Sequence, residues 1–281
     1  MACGLVDGTG CLHHREVTPT PEAGAEGLFE ALSGLVERVQ AEATRSGMPV
    51  PGVCGVGCGG PMTRHGEEVS PVNIGGWRGF PLRRRLEEIV ELPTFVDNDA
   101  KALALGEGWV GSAAGCPDYV AMVVSTGVGG GVVLDGRLLD GAQGNAGHIG
   151  HVNVLPDGHL CGCGAHGCLE AEASGLAIEK ITGLPAREAS PATIDRAGTL
   201  VGRAVASVAC LLDLRLAVVA GSVALGFGRP FFDAAQREID ARARLEFAVG
   251  TTVCPAGLGA DGPLIGAAAV GFRGQAGFAD T

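Results

Sequence analysis

Apolar residues recur at helical spacing at Leu28, Phe29, Leu32, Leu35, Val36 and Val39. That pattern predicts an amphipathic helix from Glu22 to about Ser46 with a single buried stripe. Further helices are expected over Pro81 to Leu92, with Pro at the start, then Asp99 to Val110, Thr193 to Leu212, Pro230 to Leu245 and Pro263 to Phe272. Short apolar runs at Val53 to Cys58, Thr94 to Asp97, Tyr119 to Ser125, Val132 to Leu134 and Leu216 to Ala220 read as strands. The opening residues up to His14 read as two strands turning at Asp7-Gly8, and Pro19 and Pro21 end the extended stretch. Strands alternating with helices imply an α/β protein with a parallel element in its sheet.

The chain of 281 residues has length enough for two domains. The composition turns to Gly, Ala, Ser and Pro between Gly111 and Pro117, which sets the expected domains at 1–114 and 115–281. With 48 glycines and 4% aromatics, the core is expected to be built from Ala, Val and Leu between tight turns. A formal charge of −11 repels nucleic acid and acidic lipid surfaces, so a small molecule is the expected partner. No apolar run approaches the roughly 20 residues that cross a bilayer, and no charged segment followed by an apolar one opens the chain. A cytoplasmic protein is expected, and most of its 10 cysteines then stay reduced.

Three cysteines stand apart. Cys161, Cys163 and Cys168 fall within one glycine-rich loop after His151, and three thiolates with one imidazole suffice for a closed, structural tetrahedral zinc site. His148, His159 and His166 compete with His151 as the fourth ligand. Asp99 stands where a strand gives way to a helix, as a helix cap or as a carboxylate at the sheet edge where α/β proteins bind ligands. The glycine loops Ser125 to Gly131 and Gly221 to Gly228 are turns or phosphate cradles.

Together these residues resemble the ROK family of bacterial sugar kinases and sugar-responsive repressors. The resemblance spans nearly the whole chain and is carried by Gly147-His-Ile-Gly-His151 with Cys161-Gly-Cys-Gly-Ala-His-Gly-Cys-Leu-Glu170. Further matches are Gly57-Cys-Gly-Gly60, Val72-Asn-Ile-Gly-Gly-Trp77, Asn98-Asp-Ala100, Ser125-Thr-Gly-Val-Gly-Gly-Gly131 and Val219-Ala-Gly-Ser-Val223. It implies an actin-like ATPase (ribonuclease H-like) fold of two lobes with a cleft, and ATP-dependent phosphorylation of a hexose, glucose or an N-acyl hexosamine. Asp99 is then the general base, with Gly60, Asn73, Asn98, His148, His151 and Glu170 on the sugar. Thr126, Gly127, Gly221 and Ser222 meet the nucleotide, magnesium bridges its phosphates, and His151, Cys161, Cys163 and Cys168 hold zinc. A homodimer is implied as well.

Departures from the family pattern are also visible. The family opens with a strand ending in D-x-G-G-T, which is expected to be lacking here, because Asp7-Gly-Thr-Gly10 reads as the hairpin turn after the next strand. His148 stands where a sugar-binding Glu is usual, Lys101 where Asn is frequent, and Gly221-Ser222 in place of a Gly pair. The alternative these departures favour is a sugar-binding sensor or regulatory protein. DNA binding is not expected, since the chain has neither a helix-turn-helix domain nor a basic face.

Overall fold

In the computed structural model, which describes residues 1–277, the opening hairpin forms from β1 (Ala2–Val6) and β2 (Leu12–Val17). Its turn is wider than the expected two-residue one. The Asp7 carboxylate accepts the Thr9 N–H at 2.8 Å, the Thr9 hydroxyl at 2.6 Å and the Cys11 N–H at 3.1 Å. A carboxylate that satisfies backbone donors locally stabilises this longer turn. The chain continues through α1 (Ala25–Arg45), β3 (Cys54–Cys58), α2 (Leu82–Val90), β4 (Thr94–Asn98) and α3 (Asp99–Val110). There follow β5 (Tyr119–Val124), β6 (Val128–Leu134), β7 (Arg137–Leu138), α4 (Leu169–Ala173), α5 (Gly175–Thr182) and α6 (Pro191–Leu212). The described chain closes with β8 (Leu216–Ala220), α7 (Ser222–Phe227), α8 (Arg229–Arg242), β9 (Thr252–Pro255) and α9 (Gly262–Gln275). No helix among the described residues is long and apolar enough to cross a membrane.

Contacts divide the chain into two units. Unit 1 holds Met1–Val110, Gly141–Asn145 and the described residues from Ala260 onward, and unit 2 holds Gly111–Asp140 and Ala146–Gly259. The sequence reading sets one boundary after residue 114, whereas these units are discontinuous. The return of α9 to unit 1 has a packing cause. A Cβ on Gly266 would meet the Ala102 carbonyl oxygen at 2.5 Å, so α9 lies against α3 at backbone distance.

In unit 1, β3 and β4 pair in parallel from Cys54 opposite Thr94 to Cys58 opposite Asn98. Both strands therefore end at the same level, and their C-terminal residues stand side by side. Beneath them lie Leu28, Phe29, Val36, Leu82, Leu86 and Val96, with Trp77 stacked on Phe80 at 4.7 Å between ring centroids. Among the described residues β1 pairs only with β2 and β3 only with β4. Unit 1 therefore contains two small sheets, and both β1 and β3 line an apolar cavity of about 770 Å³.

Unit 2 is built on one sheet in the order β7-β6-β5-β8-β9, with β5, β8 and β9 mutually parallel and β6 antiparallel to β5. Val120, Met122 and Val124 of β5 and Ala217 and Val219 of β8 are buried, as near-continuous apolar runs predict for parallel strands covered on both faces. Helices α6 and α8 pack against each other at close range. A Cβ on Gly198 would meet the Phe231 carbonyl oxygen at 2.3 Å, and one on Gly202 the Ala235 carbonyl oxygen at 2.3 Å.

Two elements differ from expectation. The glycine run 129–131, read as a loop, is the start of β6, where Gly130 faces Met122. Glycine fits there because a Cβ on Gly130 would meet the Gly147 carbonyl oxygen at 3.1 Å and the Ile149 side chain at 2.9 Å. The stretch 222–227, also read as loop, forms α7. The sequence reading has no strand at β7 or β9 and no helix at α4 or α5, because these elements are too short to display a period.

Candidate functional site

The C-terminal ends of β3 and β4 carry the first group of residues. Asn98 ends β4, and its Oδ1 accepts the Ala100 N–H at 3.0 Å. Asp99 opens α3, and its Oδ1 accepts the same N–H at 2.9 Å. Two neighbouring oxygens thus cap one helix donor, and Asp99 Oδ2 takes no side-chain donor among the described residues. Glycines lie close to both residues: a Cβ on Gly60 would stand 3.3 Å from Asn98 Nδ2, and one on Gly57 would stand 3.5 Å from the Asp99 Cα. Asn73 joins the same edge, its Oδ1 3.9 Å from where a Cβ of Gly59 would sit. So Gly60, Asn73, Asn98 and Asp99 lie at one strand edge.

Asp99 and its neighbour Asp97 have different electrostatics. Desolvation raises the Asp99 pKa above the ordinary carboxylate value, against the pull of the Ala100 N–H. Asp97, by contrast, is paired with the buried Lys101 ammonium at 2.9 Å and with Arg273 at 3.5 Å. The Lys101 ammonium also donates to the Gly144 carbonyl at 3.3 Å. Lys101 is thus occupied in holding unit 1 together. Nearby, burial and the Asp99 charge push the Cys58 thiol up to about 12, so that sulfur stays a neutral packing group.

In unit 2 the ends of β5 and β8 meet in the same way. The Ser125 and Ser222 hydroxyls lie 2.9 Å apart, joining the loop after β5 to the start of α7. Gly221 adopts a left-handed φ of 101°, and a Cβ there would meet the Val124 carbonyl oxygen at 2.3 Å. Only glycine fits both that φ and that contact. Thr126 is anchored through its carbonyl, which accepts the Leu176 N–H at 3.4 Å. Thr126, Gly127, Gly221 and Ser222 therefore lie at one C-terminal sheet edge, where open α/β sheets bind ligands.

The second cluster of unit 2 is the cysteine loop. The donor atoms of His151, Cys161, Cys163 and Cys168 all lie within 4.8 Å of one another. Cys161 Sγ is 3.7 Å from His151 Nδ1, and Cys163 Sγ is 3.7 Å from Cys168 Sγ. Four ligands on tetrahedral zinc, with Zn–S about 2.3 Å, stand about 3.8 Å apart along each sulfur–sulfur edge. The donor set and its spacing fit that ion. Burial, together with the adjacent thiols of Cys163 and Cys161, pushes the Cys168 thiol up to about 12, so ionised sulfurs here need a cation beside them.

The competing histidines have other partners. His159 Nδ1 lies 3.1 Å from both carboxylate oxygens of Glu172, and His166 Nδ1 is 3.0 Å from the Gly158 carbonyl oxygen. The rings of His148 and His151 are 6.0 Å apart at their centroids, which puts His148 beside the cluster and outside the donor set. Using Nδ1 toward Cys161 leaves His151 Nε2 directed elsewhere. Glu170, the remaining expected sugar residue of unit 2, accepts the Val128 N–H at 2.9 Å through Oε2. A Cβ on Gly127 would come within 2.8 Å of that same oxygen.

Sequence reasoning misses Glu172 and Arg196, which hold the cysteine loop from beneath. Their only sequence signal is a second glutamate two places after Glu170.

Comparison with known proteins gives a concordant answer. The family model described as "ROK family" matches residues 1–272. An N-acetylmannosamine kinase of Escherichia fergusonii is 37% identical over 246 residues, which are 81% of each chain. The ROK hexokinase of Thermus thermophilus superposes with a TM-score of 0.82 at 34% identity, covering 98% of this chain and 99% of that one. A ROK family glucokinase from Streptomyces griseus, solved with glucose and AMPPNP, gives 0.80 at 29% identity over 96% of this chain and 95% of that one.

Proposed function

The chain belongs to the ROK family of sugar kinases, with the actin-like ATPase fold, and on that premise we propose that it transfers the γ-phosphoryl group of ATP to the primary hydroxyl of a hexose, with Asp99 as general base. The observation that carries this is the position of Asp99. It stands at the C-terminal end of β4 beside Asn98 and Gly60, one carboxylate oxygen capping α3 and the other without a side-chain donor among the described residues.

Phosphoryl transfer asks a protein mainly for positioning and for a group that takes the proton of the attacking hydroxyl. Asp99 Oδ2 accepts that proton as the oxygen–phosphorus bond forms and the bond to the ADP oxygen breaks. Its raised pKa suits the task, because a base works best when its pKa lies closer to the working pH. Asn73, Asn98 and Gly60 of unit 1 line the sugar and orient its hydroxyls. His148, the second nitrogen of His151 and the Glu170 carboxylate are the further hydrogen-bonding groups for a sugar. Thr126 and Gly127 offer backbone N–H groups to phosphate, while Gly221 and Ser222 contact the adenosine. Magnesium brought with the nucleotide would neutralise charge on its phosphates.

His151, Cys161, Cys163 and Cys168 are the residues that hold zinc. Such an ion would be structural and would supply no part of the chemistry, since these four side chains suffice as its ligands. Held at Nδ1, His151 would have the direction of its other nitrogen fixed, so this imidazole would link a bound metal to the sugar pocket. Glucose and N-acyl hexosamines are the substrate class, the relatives being a glucokinase and an N-acetylmannosamine kinase. We place the enzyme in the cytoplasm as a homodimer, with sugar and ATP as its partners rather than nucleic acid or membrane.

The test is ADP release from the full chain with ATP and magnesium across a panel containing glucose, mannose and their N-acetylated 2-amino analogues. Turnover with at least one of them is expected. Sugar binding by calorimetry without any turnover would leave only a sensor, and neither binding nor turnover would overturn the assignment.

A further inference from the structure

Glu172 is a charged residue for which the catalytic reading has no use, and it is wholly buried. A carboxylate without water needs several donors to remain ionised. Glu172 Oε1 accepts the His159 N–H at 2.5 Å, and the His159 ring approaches both oxygens at 3.1 Å. Oε2 is paired with the Arg196 guanidinium of α6. Arg196 Nη1 also donates to the Glu172 carbonyl at 2.7 Å, closing off one of the open carbonyls of the short helix α4. Burial opposes ionisation, but the His159 N–H and Arg196 outweigh it and hold the carboxyl below its ordinary value.

The place where this carboxylate meets the loop is informative. Gly158 and His159 lie just ahead of Cys161, and they are also where the far side of the loop is tied back: the Gly167 N–H donates to the His159 carbonyl at 2.9 Å. A Cβ on Gly158 would stand 2.3 Å from Glu172 Oε1, so the carboxylate is seated directly under the chain. A loop with glycines at 158, 162, 164 and 167 has much conformational freedom to lose. Glu172 attaches it to α4, the helix that Cys168 caps and that carries Glu170, and Arg196 attaches α4 to the long helix α6.

We propose that Glu172, held by Arg196, is a positioning residue that fixes the loop so that Cys161 and Cys163 meet Cys168 and His151 in a preformed metal site. This rests on the zinc reading above. It adds that tight holding of the ion depends on a side chain that touches neither the ion nor its ligands.

The experiment compares zinc-loaded and zinc-stripped full-length protein as the parent, as Glu172→Gln and as Arg196→Lys. The readouts are the rate of zinc release to excess chelator and the rise in Tm that zinc confers. Glu172→Gln is expected to release zinc about tenfold faster, the scale set by outer-layer partners of metal ligands. It should also shrink the zinc-dependent rise in Tm while leaving the stripped protein's Tm nearly unchanged. Arg196→Lys, which keeps the charge but cannot bridge Oε2 and the Glu172 carbonyl together, is expected to move both readouts the same way by less, and it carries the test if Glu172→Gln does not fold.

Release rates within about twofold of the parent would overturn the proposal. Equal losses of Tm in loaded and stripped protein would do the same, since that is how a residue that only packs the core behaves. A parent that binds no zinc would defeat the metal reading itself, a result seen before any variant is made.

Discussion

The Glu170 carboxylate accepts the Val128 N–H at 2.9 Å, tying the helix that follows the cysteine loop to the first residue of β6. One carboxylate therefore touches the end of the glycine loop expected to meet phosphate, and its proposed sugar contact is open to test. Replacing Glu170 by Gln preserves an acceptor for Val128 and removes the charge. Steady-state kinetics should show sugar KM raised about tenfold or more with ATP KM nearly unchanged, since charged hydrogen bonds are about twice as strong as neutral ones. Glu170→Ala frees Val128 as well and should raise both constants. A Gln variant with parental sugar KM would remove Glu170 from the sugar site.

Asp99→Asn separates chemistry from stability. Asn can still cap the Ala100 N–H, but it cannot take a proton, so kcat is expected to fall by about 10² to 10⁴ with sugar affinity retained. The Asp99 pKa is raised by folding, so its stabilising contribution belongs to the protonated form, is present at low pH and is lost as pH rises through the folded value. At neutral pH the ionised carboxylate thus weakens the fold, and the Asn variant should melt slightly higher than the parent. Lower activity with a lower Tm would instead mark Asp99 as a structural cap.

The same raised pKa sets the acid limb of the pH profile. In kcat/KM, activity should fall with decreasing pH at a value above the ordinary aspartate pKa of about 3.9. A limb at or below that value would indicate a different base.

Removal of zinc should act on sugar before nucleotide. Dialysis against a strong chelator is expected to release one equivalent of zinc per chain and to raise sugar KM through the loss of His151 orientation. Nucleotide affinity should follow less closely, because Thr126, Gly221 and Ser222 are held by the ends of β5 and β8. Metal analysis alongside calorimetry with AMPPNP checks both halves.

Gly202→Ala tests the packing of unit 2 by its sign. In an exposed helix this change stabilises by about 1 kcal/mol. Here the added methyl would lie 2.3 Å from the Ala235 carbonyl oxygen of α8, and overpacking of this kind costs about 1 to 3 kcal/mol. Calorimetry should therefore show Tm lowered by roughly 2 to 12 °C, taking about 2 to 4 °C for each kcal/mol.

Much of this protein is legible in local pattern. The span of α3 and that of β8 follow directly from periodicity and from a short apolar run bounded by a turn. Cys161, Cys163 and Cys168 declare themselves because thiols at that spacing among glycines have little reason to be packing residues. Asp99 is also visible, at a junction of strand and helix. The identity of the fourth metal donor is not, since four histidines lie near the loop in sequence and only their partners in space distinguish them. His159 lies against Glu172 and His166 against Gly158, leaving His151 facing Cys161.

The sequence by itself determined the longer helices and the central strands, the residue types of the Cys/His cluster and the carboxylate at a strand end, because each depends on neighbours within a few residues. Tertiary structure alone decided that Gly198 and Gly202 serve a helix contact, that Gly129 to Gly131 are strand, and that Glu172 is seated beneath a loop behind it in the chain. Those outcomes depend on what lies across the space from a residue. A buried carboxylate or a missing Cβ acquires its meaning only from the backbone that folding brings against it.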